Sequence, residues 1–154
     1  MRSNAQFTMA VHALLMIGVF PDTKIISKTV AESAGSNPVL VCNLFAKLIR
    51  AGIIETRPGR GKTKLAKDAK QITLRDIYEA VEPFDLASSF PYHKNMSGKC
   101  AVVTRVEGLL NPHLEETMQA LRQRLARVTV ADLIHDLHKD IQNTMKTHDG
   151  GERQ

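Results

Sequence analysis

Apolar residues recur at helical spacing along most of the chain and at strand-like density in one place. Phe7 to Phe20 is apolar nearly all round, which predicts a buried helix, with Ser3 and Gln6 as a capping box in front and Pro21 behind. Ser27 is placed to cap a short second helix through Ala34, with Val30, Ala31 and Ala34 inside. Gly35 supplies a turn, and Asn37-Pro38 starts a third helix with Asn as cap and Pro at the first helical position. Val41, Leu44, Phe45, Leu48 and Ile49 then fall at i, i+3, i+4, i+7 and i+8, an inward stripe. Val39, Asn43, Lys47 and Arg50 are expected on the opposite face, and Gly52 ends the helix. Ile53 to Thr56 and Thr63 to Ala66 read as two strands around the Gly/Pro turn Arg57-Pro58-Gly59-Arg60-Gly61-Lys62, a hairpin with a cationic tip.

The second half repeats the helical pattern at longer range. Thr73 caps a helix through Val81 with Leu74, Ile77 and Val81 inward, and Pro83 follows. Residues 84–99 show no period and are read as a connecting loop. Val103, Val106, Leu110, Leu114, Met118, Leu121 and Leu125 recur every three or four positions, a long one-sided helix suited to a helix–helix seam. Gly108 and Asn111-Pro112 within it predict a kink or a restart capped by Asn111. Thr129 and Asp132 form a capping box for a last helix through Val130, Leu133, Ile134, Leu137 and Ile141. The stripe of the long helix is expected to pair with a second copy or to pack back on the first helix. The expected fold is mostly α with a small β-hairpin wing: a winged helix-turn-helix in residues 1–83, the loop 84–99, dimerisation helices in 100–145, and a disordered tail in 146–154.

Charge sharpens this picture. The whole chain carries a net +5, but residues 1–67 hold ten Lys and Arg against three Asp and Glu. The basic excess belongs to the half that contains the helix pair and the hairpin, which points to a polyanionic partner, nucleic acid before membrane. In a helix-turn-helix the first residues of the second helix meet base edges, so Asn37, Val39 and Asn43 are the candidate readers. Asn pairs with adenine, and Val touches a thymine methyl. Ser27, Thr29, Pro38, Lys47 and Arg57 are further candidate DNA-binding residues, and Arg60 and Lys62 are placed to neutralise a phosphate.

The remaining chemistry is sparse. The six histidines and the acidic pairs show no metal-ligand spacing, and no nucleophile–base pattern appears, so neither an enzyme nor a cofactor is expected. Cys42 and Cys100 are too few and too far apart for a disulfide framework and fit a reducing cytoplasm, as does the lack of a signal peptide or membrane span. Cys100, after Lys99 at the start of the long helix, is a redox candidate, and Cys42 on the third helix is its candidate partner. The alternative function is a winged helix used only for protein–protein contact, which has no need of a basic wing.

The runs Ser36-Asn37-Pro38-Val39-Leu40-Val41, Leu48-Ile49-Arg50-Ala51-Gly52-Ile53-Ile54, Arg57-Pro58-Gly59-Arg60-Gly61 and Leu65-Ala66 resemble the Rrf-two family of bacterial winged-helix regulators. Ile72 to Glu82, Cys100 and Thr129 to Leu133 match in order and spacing, so that the resemblance spans roughly residues 5–135. It implies a homodimeric transcription factor bound to double-stranded operator DNA, its recognition helix in the major groove and its wing on the backbone or in the minor groove; a repressor is expected, with an activator as the alternative. The iron–sulfur members carry three closely spaced cysteines beyond the wing, where this chain has Cys100 alone, and the wing here has Lys62-Thr63-Lys64 in place of a tighter Gly-rich step. The resemblance leaves the effector and the operator sequence open.

Overall fold

The computed structural model describes residues 3–56, 61–82, 86–92 and 101–149. In chain order these form α1 (Ser3–Val19), α2 (Ser27–Ala34), α3 (Pro38–Arg50), β1 (Ile54–Thr56), β2 (Thr63–Leu65), α4 (Leu74–Val81), α5 (Leu86–Ser89), α6 (Val106–Leu125) and α7 (Val130–Asp149). The architecture is that of a winged helix followed by long C-terminal helices.

The apolar character of α1 is explained by its neighbours: α2, α3, α4, α7 and β2 all pack on it, and Ala10, Ala13 and Leu14 are wholly buried. The expected Ser3–Gln6 box gives way to a tertiary bond, since Ser3 is already helical and Gln6 Oε1 accepts from Lys47 Nζ on α3. The second helix also starts one residue earlier than read: Ile26 is its cap, Ser27 its first helical residue, and no side chain closes the end. Val30 and Ala31 face the core while Ala34 is exposed, because the helix ends there and turns outward. Gly35 makes that turn at φ 60°, ψ 36°, a left-handed conformation that any Cβ would strain.

On α3 the cap is as read: Asn37 Oδ1 accepts from Val39 N at 2.8 Å, and Pro38 follows at the first position. Val41, Leu44, Phe45 and Leu48 are buried, but Ile49 is exposed. It stands about 80° round from Val41, at the edge of the stripe rather than on it. The hairpin pairs Ile54 with Leu65 and Thr56 with Thr63, and Thr63 N reaches across to Ile25 O at 3.3 Å, tying the wing to the segment before α2.

Two helices start side by side. Thr73 and Asp76 close a reciprocal capping box on α4, and Thr129 and Asp132 close another on α7. Between the caps runs a short antiparallel bridge: Leu74 N donates to Val128 O and Val130 N to Ile72 O, both at 2.9 Å. Val130 is thereby placed in the same core as α1. Further along, α7 crosses α1 at Gly18 so closely that an added Cβ would stand 2.5 Å from Ile134 Cδ1.

The long helix differs from expectation at its middle. It is continuous through Pro112, with no restart, and Asn111 Oδ1 accepts instead from the Tyr92 hydroxyl at 2.7 Å. Val103 lies in the turns ahead of it. The helix packs on α4 and α5, with Leu114, Met118 and Leu125 half-buried, and no residue of α6 is fully buried. The last helix runs to Asp149, so the expected tail from residue 146 is helical for its first four positions, and 150–154 lie outside the described residues. Of the expected loop 84–99, residues 86–89 form α5, and 84–85 and 93–99 lie outside the described residues. None of the described helices is long and apolar enough to cross a membrane.

Candidate nucleic-acid interface

The Gly35 turn carries α3 away from α2 and leaves the front of α3 standing clear of the core. Pro38, Val39, Leu40, Cys42, Asn43 and Ala46 are exposed, Val39 at 65%. Behind this row, α3 and the wing enclose a cleft of about 330 Å³ lined by Ser27, Cys42, Ala46, Ile49, Thr56 and Thr63 among others. Helix front and hairpin thus present one continuous surface, the shape that a groove and its flanking phosphates require.

The candidate residues fall into distinct places on it. Val39 and Asn43 project from the front of α3, and no hydrogen bond engages the exposed Asn43 side chain among the described residues. Asn37 uses its carbonyl oxygen as the helix cap, which ties down the group that would accept from an adenine amine. Ser27 and Thr29 are half-buried, Ser27 at the cleft wall. Lys62 is half-buried on the strand side of the wing, while Arg57 and Arg60 lie outside the described residues. Cys42 is an exposed free thiol at the cleft, and Cys100 lies outside the described residues.

Lys47 is the clear correction. Its ammonium turns inward, donating to Gln6 Oε1 at 2.7 Å and to Val81 O at 3.0 Å, so it does not stand on the outer face with Asn43 and Arg50. Helical spacing puts position 47 near the boundary of the stripe, and a long flexible stem reaches either way. Lys64 is also occupied, by Glu55 at 2.7 Å across the strands. A cation that sequence reasoning missed is Lys24, whose Cε lies 2.9 Å from where a Cβ on Gly61 would stand. It is thus set against the wing, although the sequence offers no local sign of that contact.

A second missed signal is the placement of acids. The first turns of α1, α2 and α3 hold none, whereas α4, α6 and α7 open with Asp76, Glu107 and Asp132. Of the first three, α2 starts at the cleft and α3 carries the exposed front, and their positive ends are left without an acid, which favours approach by phosphate. Asp76 and Asp132 close capping boxes on α4 and α7, whereas Glu107 stands at the exposed, uncapped start of α6. At Asp132 the effect is visible in the carboxyl, held below its ordinary range first by the Thr129 backbone N–H, then by the Thr129 hydroxyl, with a smaller pull from His135.

The model of the Rrf2 (Rrf-two) family, described as iron-dependent transcriptional regulators, matches residues 3–136. YwnA of Bacillus subtilis (strain 168), which bears the name of an HTH-type transcriptional regulator, is 30% identical over 134 residues, covering 87% of this chain and 98% of YwnA. A crystal structure described as that of a DNA-binding protein superposes with TM-score 0.67 at 29% identity, over 84% of this chain and 98% of the other. A regulator structure from Lactobacillus plantarum superposes with TM-score 0.72 at 22% identity, over 94% and 97% of the two chains, a likeness of fold. Among the described residues the iron in the family's description finds no matching donor set. The chain has two cysteines, one of them on the front of α3, and no three His, Cys, Asp or Glu gather in a metal-holding group among the described residues. With the match spanning nearly its whole length, the chain belongs to the Rrf2 family and is a DNA-binding transcriptional regulator, not an enzyme.

Proposed function

We propose that the protein works in the cytoplasm as a homodimeric repressor on a two-fold symmetric operator, with α3 of each copy in the major groove and each wing on the backbone. The observation that carries the assembly is the uncovered flank of α6. Val106, Leu109, Leu110 and Leu121 are all exposed on a helix of 20 residues, Leu109 at 71%. Ile141 and Met145 extend the apolar surface along the free end of α7. An apolar flank of this length on a regulator whose head reads one half-site is suited to a second copy, and pairing two heads is what a palindromic site demands. Base reading is assigned to Val39 and Asn43, with Asn37 and Pro38 fixing the helix front. Backbone contact is assigned to Ser27, Thr29, Arg57, Arg60 and Lys62. Repression follows from occupying a promoter, the simplest action of a head and a dimer face.

Sedimentation equilibrium at micromolar protein tests the assembly, and the expected species is a dimer. Leu110→Glu with Leu121→Glu is expected to give folded monomers with poor operator affinity, and a monomeric wild type would refute the reading. The sign of control is tested by a promoter reporter, whose output should rise when the gene is deleted.

A thiol response is the second reading, supported by the exposed Cys42 Sγ at the α3–wing cleft. Oxidation there would place a polar sulfur acid among the reading residues, and a bond to Cys100 of the other copy would shift the two heads. Mild peroxide should then lower operator affinity in the wild type and leave Cys42→Ser unaffected. Equal affinity before and after oxidation would end it.

A further inference from the structure

We propose that Lys47 is a positioning residue for sequence recognition: it fixes the angle of α3 from inside the protein and makes no contact with phosphate. The proposal rests on the reading of α3 as the recognition helix. Lys47 stands in the last turn of α3, and its Nζ joins three helices at one point through Gln6 Oε1 of α1 and Val81 O of α4. Both bonds are charge-assisted, which makes them stronger than neutral ones, and an ammonium can satisfy several acceptors at once.

The position of Val81 O matters. It is the last residue of α4, where carbonyls lack helical partners and the dipole ends negative. The last turn of α4 contains no base of its own, so the cation that belongs there comes from α3. This α4 end is well anchored, since the helix also packs on α1 and α6 and its other end is locked by the Thr73–Asp76 box. Lys47 therefore refers the back of the recognition helix to a fixed point on the path from the reading head to the long helix α6.

Leverage converts this into recognition. Val39 lies eight residues ahead of Lys47, about 12 Å along the helix axis, so a tilt of about 10° at Lys47 moves Val39 by about 2 Å. The buried stripe of α3 resists displacement, and the two Lys47 bonds add a directional restraint that apolar contact does not itself supply. Base contacts tolerate little error in distance, whereas phosphate contacts from long flexible side chains adapt. Loss of the strut should therefore cost discrimination between sequences more than general affinity.

The test uses the full chain, a duplex that the wild type enriches from a randomised pool, and a shuffled duplex of the same composition, titrated by anisotropy across a range of salt. Lys47→Met is expected to lower affinity for the selected duplex about tenfold or more, the cost of a spoiled base contact, while affinity for the shuffled duplex and the log–log salt slope stay as in wild type. Gln6→Leu removes one acceptor and keeps the charge, and its loss of discrimination should be in the same direction and smaller. It also carries the test if Lys47→Met does not fold. A slope smaller by about 0.9 with both duplexes weakened together would make Lys47 a phosphate contact and overturn the proposal. So would a lower melting temperature with discrimination intact well below it, which marks a merely structural role, or no change in either variant. A wild type that enriches no sequence would instead overturn the recognition-helix reading itself, and the proposal with it.

Discussion

Asn37 holds the front of α3 through one bond to Val39 N, while the neighbouring Val39 and Asn43 are left to face outward. Asn37→Ala should lower stability by about 1 kcal/mol, the usual worth of such a cap, read as a fall in melting temperature. Its effect on DNA binding should be larger than that of Thr73→Ala, which removes a comparable cap on α4 away from the cleft. Asp132 predicts a pH effect. Its folded carboxyl titrates lower than in the unfolded chain, so its contribution to α7 is whole above the ordinary carboxylate range and is lost as pH falls through the depressed folded value. A carboxyl NMR titration should show this midpoint below about 3.9, moving together with the Thr129 amide, and an unshifted midpoint would contradict the box. The caps at Asn37, Thr73 and Thr129 were legible because donor and acceptor lie three residues apart or less, but the same spacing misled at Ser3, Ser27 and Asn111, where the chain is already helical. Lys47 was not legible, since its partners stand 41 and 34 residues away and only the fold brings them together.

Among the elements, α3 shows what periodicity can and cannot resolve. Its stripe identified Val41, Leu44, Phe45 and Leu48 as core, but spacing alone could not separate Ile49, which sits at the stripe's edge and lines the cleft. Leu48→Ala should cost about 2–5 kcal/mol, as a fully buried leucine whose removal leaves a cavity, whereas Ile49→Ala should hardly alter stability and should alter DNA binding. Chemical denaturation beside a DNA titration separates the two. The wing was legible from its turn residues and β-branched flanks, though the pairing of Lys64 with Glu55 removes one cation from those the sequence counts. Lys62→Ala should weaken selected and shuffled duplexes alike and reduce the salt slope by up to about 0.9. A loss confined to the selected duplex would move Lys62 from backbone contact to base reading. The unbroken passage of α6 through Pro112 was not legible, because local rules favour a restart at Asn111 and the Tyr92 hydroxyl that engages Asn111 lies outside the helix.

At the scale of the molecule, head and C-terminal helices are less separable than the sequence pattern implied. The pattern divides them at the loop 84–99, yet Val130 closes the core that α1, α3 and α4 begin, and Ile134 fills the space beside Gly18. A chain ending after residue 100 would open that core, so the expected product is a poorly folded fragment rather than a monomeric head. Circular dichroism of that fragment should show much less helix than its share of the intact chain, and a cooperative melt would contradict this.

The bridge between Thr73 and Thr129 gives this union an address in time as well as in space. The amides of Leu74 and Val130 donate across it, from segments far apart in the chain, at the point where both capped helices begin. Neither amide can meet solvent until the bridge parts, and parting it exposes the core behind Val130. In deuterated buffer both should therefore exchange at the rate of global unfolding, slower than the amides of the wing, so that the molecule opens from its DNA-facing surface first and at this seam last.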